Sequence, residues 1–225
     1  MNYYALVGDL KESRKSADRK ALQEVLLTQV DAINTAYSDC LAAQMMVNAG
    51  DAFQGLFLPQ APMLEICDKI RYALVDHCGV RVGIGFGTIE TGIVRTQSIL
   101  SDGPAFWNAR QALSLVREQD YYDSRTTALY TDVPGFQTIT SLVNQILVLQ
   151  DQLASRWKGT QLELAKHYLM HHGFEKVTQT QVAKEMSLRV QQVNTTIQAM
   201  GFFAYLDTRR ETEQILMASF GGSAL

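Results

Sequence analysis

The feature that most constrains this chain is a short polar turn between two apolar runs near residue 50. Residues 45–47 and 53–58 are mostly apolar or aromatic, and the four residues Asn-Ala-Gly-Asp at 48–51 join them. Apolar runs that are broken by a Gly-Asp pair are typical of a β-hairpin. The pattern therefore predicts that Asp51 lies at the tip of a hairpin, just outside the hydrophobic layer.

A second copy of this pattern stands at the N-terminus, where the apolar run at residues 3–7 stops at Gly8 and Asp9. If the two strands are neighbours, Asp9 and Asp51 lie at the same edge of one sheet. Two carboxylates held together repel unless a proton or a cation lies between them, and a hard divalent ion is the usual solution. The sequence predicts a site for magnesium, or alternatively manganese, at Asp9 and Asp51. An Asp51 that only caps its own turn is the alternative.

Length and composition favour a globular protein of one large or two small domains. The 225 residues are 47% hydrophobic and 19% charged, which suits a packed core and excludes a disordered chain. No apolar run approaches the ~20 residues of a membrane helix, and the start of the chain lacks the features of a signal peptide. The three cysteines are far apart, which is typical of thiols in a reducing compartment. We therefore expect a cytoplasmic protein without membrane insertion.

Hydrophobic periodicity predicts the order of elements in the first 135 residues. Amphipathic helices around residues 18–37 and 63–75 alternate with the N-terminal strand, the hairpin and a strand at 81–88. Pro104 is placed to begin a third helix, and a short strand is expected at 127–130. This βαββαβ order predicts an α+β domain of ferredoxin-like topology, with its helices on one face of the sheet.

The predicted strand at 81–88 is unusual because glycine occupies positions 83, 85 and 87. Glycine lowers the stability of a strand, and it is found where another backbone or a ligand approaches closely. The spacing does not match a dinucleotide fingerprint, and no strand-to-helix turn contains it. We therefore expect a close neighbour at this strand and no Rossmann-type site.

Several motifs are similar to those of the SatD family of bacterial proteins. They are Val7-Gly8-Asp9 with Ser13-Arg14, residues 50–56, and Asp102-Gly103-Pro104-Ala105 with Ala109-Arg110. The same regions, with residues 81–87, also resemble the catalytic domain of class III nucleotide cyclases, and the hairpin resembles the signature turn of diguanylate cyclases. The SatD resemblance covers essentially the whole chain. The cyclase resemblance concerns the fold and sets no activity by itself.

The cyclase resemblance implies which residues would form a nucleotide site. The two metal-binding aspartates of those enzymes match Asp9 and Asp51. Contacts to a nucleotide are expected from Arg14, Gly50, Gln54, Arg81, Asp102 and Arg110. Val47 stands in place of the base-reading lysine, Trp107 in place of the transition-state asparagine, and Arg110 is displaced by one helix position. The resemblance thus implies a domain that keeps the metal ligands and has lost groups that cyclisation needs.

The chain changes character after residue 135. Residues 138–157 form one long helical pattern, which serves either as a connector and dimer surface or as a helix packed against the first domain. The predicted organisation is a cyclase-like domain at 1–135, a connector helix at 136–157 and an all-α domain at 158–225. Cyclase-like domains complete their sites across a two-fold interface, so we expect a homodimer.

Two short helical patterns, at about 179–186 and 189–200, are typical of a helix-turn-helix. Val182, Ala183, Val193 and Ile197 are expected to face inward. The second helix carries side chains that can read base edges or hold phosphates, namely Arg189, Gln191, Gln192, Asn194 and Thr195. Residues 155–225 contain 8 Lys or Arg against 6 Asp or Glu, so their positive excess is slight. DNA binding is the favoured interpretation, and a three-helix module that contacts protein is the alternative.

Three histidines, His167, His171 and His172, invite comparison with a metal site, since residues four apart share a helix face. No Glu or Cys is expected to complete a ligand set, so a solvated helix face is the favoured interpretation.

Two functions therefore compete. The first is a transcription regulator, in which a degenerate cyclase-like domain binds metal or nucleotide and the C-terminal helix-turn-helix binds DNA. The second is a metal-dependent enzyme of nucleotidyl transfer at Asp9 and Asp51, whose C-terminal domain contacts protein. The loss of the cyclisation groups favours the regulator, while catalytic turnover stays an open question.

Overall fold

The computed structural model describes residues 1–11, 18–48 and 50–221, and the statements below concern that part of the chain. Its five strands are β1 (Asn2–Leu10), β2 (Leu41–Val47), β3 (Ala52–Phe57), β4 (Val80–Thr88) and β5 (Thr127–Tyr130). They form one sheet in the order β2-β3-β1-β4-β5. The pair β4 and β5 is parallel, and the other neighbours are antiparallel.

Eight α-helices accompany the sheet in the described residues. Three alternate with the strands, namely α1 (Arg19–Ala36), α2 (Met63–Leu74) and α3 (Pro104–Glu118). Five follow the last strand, namely α4 (Gln137–Ala154), α5 (Thr160–His172), α6 (Gln179–Glu185), α7 (Val190–Met200) and α8 (Phe202–Gly221). The predicted order of elements and the α+β class are confirmed. The ferredoxin-like and cyclase-like assignments stay predictions. No helix among these has both the length and the apolar character that crossing a membrane requires.

The prediction that the helices share one face of the sheet is wrong. Leu6 and the other even-numbered core residues of β1 pack in the same hydrophobic cluster as α1 and α2. Ala5, from the opposite face of β1, packs against Ala105 and Ala109 of α3. Successive side chains of a strand point to opposite faces. Because β1 is apolar at consecutive positions, it needs cover on both sides.

The glycines of β4 allow α3 to lie directly on the sheet. A Cβ atom built at Gly83 would lie 2.2 Å from the carbonyl oxygen of Ala109, and one at Gly85 would lie 2.1 Å from the Ala109 nitrogen. The expected close neighbour of this strand is therefore the backbone of α3. Since successive turns of α3 meet β4 from Gly87 back to Gly83, the C-terminal end of the helix lies near the start of β4.

The helices after residue 135 pack on the sheet and share its core. One continuous hydrophobic cluster runs from β1 to α8. In it the ring of Phe220 stacks on Phe136, with 4.5 Å between centroids, and meets the edge of Phe86 at 4.8 Å. The side chain of Asn144 in α4 forms hydrogen bonds with both the N–H and the C=O of Leu129 in β5. Of the two alternatives for the long helix, packing against the first domain is the one observed. The division at residues 135 and 157 stays a prediction.

Candidate functional site

Asp9 and Asp51 lie at the same end of the sheet, as the sequence predicts. The strands β1 and β3 are antiparallel neighbours, and Asp9 stands opposite Ala52 in the register. Asp51 immediately precedes β3, and its carbonyl oxygen accepts a hydrogen bond of 3.2 Å from the Leu10 N–H. The hairpin therefore brings the second carboxylate to the end of the first strand.

The charge of Asp9 is neutralised by two arginines. Arg81, its partner in the register of β4, donates from Nε to Oδ1 at 2.7 Å. Arg117, in the last turn of α3, donates to the other oxygen. The carboxylate is largely buried, with 7% of Asp9 exposed. The sequence does not indicate Arg117, because its approach to Asp9 depends on the direction in which α3 crosses the glycines of β4.

This arrangement does not fit a magnesium ion as it stands. Both oxygens of Asp9 accept hydrogen bonds from cationic donors, and a divalent ion there would lie against two guanidinium groups. The carboxylate of Asp51 lies near Cys78, where burial in the first place, and the Asp51 charge in addition, raise the pKa of the thiol to about 11. The metal site at Asp9 and Asp51 stays a prediction.

A cavity of about 720 Å³ opens beside Arg81 at the start of β4. Its charged and hydroxyl-bearing lining residues are Lys11, Arg71, His77, Arg81, Asp123, Ser124, Thr126 and Ser155. Lys11 donates from Nζ to Oδ1 of Asp123 at 2.7 Å, and Arg71 donates to Oδ1 of the buried Asp151, also at 2.7 Å. Small-molecule sites commonly occupy about 300–1,000 Å³. The cavity thus has the size of a ligand site and a lining in which cations outnumber acids.

The structure places the predicted nucleotide-binding residues in different surroundings. Arg81 lines the cavity. Gln54 is buried, and its Nε2 donates a hydrogen bond of 3.1 Å to the Ser98 carbonyl. Its amide group therefore holds the segment at Ser98 in place and has little surface that a ligand could contact. Gly50 adopts a φ of 93° in the hairpin turn, a conformation that favours glycine. Arg14 lies outside the described residues.

Asp102 and Arg110 lie at the other end of the sheet from Asp9. Gly103, which directly follows Asp102, lies against Thr88 at the end of β4. Asp9 instead pairs with Arg81 near the start of β4. Asp102 accepts hydrogen bonds from Arg110 at 3.3 Å and from the Trp107 indole at 3.2 Å. Burial opposes ionisation of Asp102, but the Trp107 and Arg110 donors and a backbone N–H outweigh it and lower the pKa of the carboxyl. One protomer therefore does not bring this pair together with Asp9.

The residues predicted to contact DNA lie on a short helical unit formed by α6, residues 186–189 and α7. Its turn contains Ser187 with a φ of 55°, a left-handed conformation. The four apolar residues predicted to face inward are buried, namely Val182, Ala183, Val193 and Ile197. Of the predicted contacts, Asn194 is half-buried, and the exposed ones are Arg189, Gln191, Gln192 and Thr195. Gln192 also accepts a hydrogen bond of 3.0 Å from the Arg189 N–H, which caps α7.

The expectation that no acidic residue joins the histidines is wrong. Glu185, at the end of α6, accepts contacts at its Oε2 atom from Nε2 of His167 at 2.9 Å and from Nε2 of His172 at 2.8 Å. The pair that shares this partner is spaced by five residues, not four. No local spacing in the sequence could reveal it, because Glu185 comes from the next helix.

The fold and the site define an α+β protein with an arginine-clamped aspartate, a cationic cavity and a C-terminal group of helices on the same core. The SatD family model matches residues 3–216, so the chain belongs to the SatD family. The sequence resemblance to that family is thereby confirmed. A search of curated proteins finds no match.

Proposed function

We propose that this SatD family protein is a DNA-binding transcription regulator whose cavity beside Arg81 binds a nucleotide-class anion. The observation that carries the proposal is the unit of α6, the left-handed turn at Ser187 and α7. Helix-turn-helix units join two short helices by a turn of three or four residues and place the second helix in the major groove. Here the second helix keeps Val193 and Ile197 in the core and exposes a polar side.

The exposed side of α7 has the chemistry for base reading but little charge for phosphate binding. Gln and Asn side chains pair with adenine edges, and Arg pairs with guanine or phosphate. The excess of cations over residues 155–225 is only 8 against 6, and affinity for DNA depends on phosphate neutralisation. We therefore propose a homodimer in which two α7 helices bind one two-fold symmetric site, because linked sites raise the overall affinity.

The cavity supplies the sensing part of the proposal. Lys11, Arg71 and Arg81 line the cavity, and each is paired with one carboxylate, that of Asp123, Asp151 and Asp9 respectively. A lysine has three N–H donors and an arginine five, so one carboxylate partner does not use them all. Cationic donors form strong charge-assisted hydrogen bonds with phosphate oxygens. A nucleotide would bring its own magnesium or manganese through its phosphates, so Asp9 need not be a metal ligand. The cavity is also lined by Ser155, which directly follows α4. A ligand there would contact the segment that leads to the C-terminal helices.

The enzyme alternative has weaker support. Metal-dependent nucleotidyl transfer at Asp9 and Asp51 needs carboxylate oxygens that are available to a cation. Both oxygens of Asp9 are instead engaged by Arg81 and Arg117.

DNA binding is tested by selecting genomic fragments with the full-length protein and with Gln191→Ala. Gln191 is exposed on α7, and losing one good base contact should cost about 1–3 kcal/mol at the selected site and little on random DNA. Gln23→Ala, an exposed glutamine of α1, is the matched control and should change neither. A point variant is used because residues 155–225 share the core of the sheet, and their removal would expose that core.

Enrichment of a two-fold symmetric sequence that weakens only with Gln191→Ala supports the regulator. The regulator is excluded if the wild type enriches no sequence. If the protein then also turns over a nucleoside triphosphate in a metal-dependent reaction, the enzyme alternative takes its place.

Ligand binding is tested by mass spectrometry of the small molecules that copurify with the protein. The wild-type protein should retain a phosphate-bearing compound. The Lys11→Gln variant should retain at least about tenfold less of that compound, because the variant loses one charged hydrogen bond to it. Lys20→Gln is the control, since the Lys20 side chain is 88% exposed on α1 and does not line the cavity. Equal retention by the two variants, or no such compound in wild type, would contradict a ligand at this cavity.

A further inference from the structure

Three side chains from two helices converge on one point of the C-terminal region. Nε2 of His167 and Nε2 of His172 each lie within 3 Å of the same carboxylate oxygen, Oε2 of Glu185. The three atoms all lie within 4.8 Å of one another. The cluster is partly shielded from solvent, since the side chain of His172 is 12% exposed and that of His167 is 22% exposed.

Two imidazoles and one carboxylate are a ligand set that suits a zinc-class ion. Tetrahedral bonds of 2.0–2.2 Å place ligand atoms roughly 3.3 Å apart. The nitrogen-to-oxygen distances at Glu185 are 2.8 and 2.9 Å, so each of these two pairs needs to open by only about half an ångström to admit an ion. The two histidine nitrogens lie within 4.8 Å of each other. Imidazole favours zinc and its neighbours in the first transition row over magnesium or calcium.

The surroundings of the cluster hold its ligands in place. Gln181 donates from Nε2 to the second oxygen of Glu185 at 3.0 Å, which leaves Oε2 aimed at the histidines. The ring of His172 packs edge-on against Tyr168, with 5.4 Å between centroids. Metal-binding carboxylates and histidines are commonly oriented by such neighbouring contacts.

We propose that His167, His172 and Glu185 bind one divalent transition-metal ion of the zinc class. The three side chains supply three ligands and leave the fourth position to water or to an incoming group. The ion would join α5 to the end of α6, and Glu185 directly precedes the turn that leads to α7. It would therefore fix the end of α6, the first helix of the unit that continues through residues 186–189 to α7. The site is defined by its ligands and does not depend on whether that unit binds DNA.

The test is a titration of the full-length, chelator-treated protein with Co²⁺, followed by visible absorption, and with Zn²⁺, followed by thermal unfolding. We expect one ion per chain, a tetrahedral cobalt spectrum and a higher unfolding temperature with zinc. His172→Gln and Glu185→Gln should each lower the affinity by at least about 10-fold, since loss of a mere supporting contact already costs 10–100-fold. His171→Gln is the matched control, because it lies on the same helix outside the cluster.

Circular dichroism of each variant without metal shows whether the fold is retained, so that lost binding can be assigned to lost ligands. Binding that disappears in His172→Gln and Glu185→Gln and persists in His171→Gln supports the site. The proposal is overturned if the wild type binds neither metal, if binding survives in both ligand variants, or if His171→Gln abolishes it as well.

Discussion

Arg209→Met is expected to lower the free energy of unfolding by about 3–5 kcal/mol, because it leaves Asp68 buried without its counter-charge. The two side chains are 1% and 2% exposed, and Nη2 of Arg209 donates to Oδ1 of Asp68 at 2.6 Å. A second hydrogen bond, from Nε to Oδ2, measures 3.0 Å. Urea unfolding followed by fluorescence measures the effect.

Two further variants show that burial of the charge, and not loss of a cation alone, causes the effect. Lys166→Met breaks an ion pair with Asp76 at the surface and should cost at most about 1 kcal/mol. The double variant Asp68→Leu with Arg209→Met removes both buried charges and should recover much of the lost stability. An Arg209→Met variant that is no less stable than Lys166→Met would contradict the prediction.

The ion pair of Asp68 and Arg209 also connects the C-terminal helix α8 to the helices that pack on the sheet. Asp68 belongs to α2, beneath the sheet, and Arg209 belongs to α8, 141 positions later. Tyr205 donates a further hydrogen bond to Asp68, and Gln150 of α4 accepts one from Arg209. A change in the position of α8 would therefore alter the hydrogen bonds that α8 forms with α2 and α4. This gives a physical route between the cavity, which Arg71 of α2 lines, and the C-terminal helices.

The sequence predicts well what depends on local pattern. Apolar periodicity places the helices and strands in the right order, and the repeated Gly-Asp pairs correctly place Asp9 and Asp51 at one end of the sheet. The glycines at 83, 85 and 87 correctly indicate a close neighbour. Each of these features is encoded within a few residues, where spacing and residue type decide the structure.

What the sequence does not predict depends on how the elements meet. Arg117 reaches Asp9 only because α3 crosses β4 in one direction and not the other. Glu185 joins the histidines because α6 returns to α5, and no spacing along one helix reveals this. Asp68 reads as a polar position of an amphipathic helix until the partner from α8 is known. Long-range pairing of charged side chains is the information that periodicity lacks.

The second large effect concerns pH and Glu213. This carboxyl is buried beneath α2, where its Oε2 accepts a hydrogen bond of 2.9 Å from the Glu65 N–H. Burial raises its pKa from the ordinary 4.5 to about 8, against the opposing influence of backbone donors and Arg209. The folded protein therefore holds this proton more tightly than the unfolded chain does. Its contribution to stability is fully present below about pH 4.5 and is lost as the pH rises toward 8.

Glu213→Gln should remove this pH dependence, because the amide stays neutral throughout. Between pH 5 and 8 the group contributes a slope of up to about 1.4 kcal/mol per pH unit, the free energy of one unit of pKa shift. The free energy of unfolding of wild type should therefore fall more steeply over this range than that of the variant. Glu211→Gln, an exposed glutamate of the same helix, is the control and should keep the wild-type slope. The comparison concerns the slope of the free energy of unfolding against pH. A loss of stability that the glutamine side chain causes equally at every pH does not change that slope. Parallel curves for wild type and Glu213→Gln would show that the buried carboxyl does not hold its proton near neutral pH.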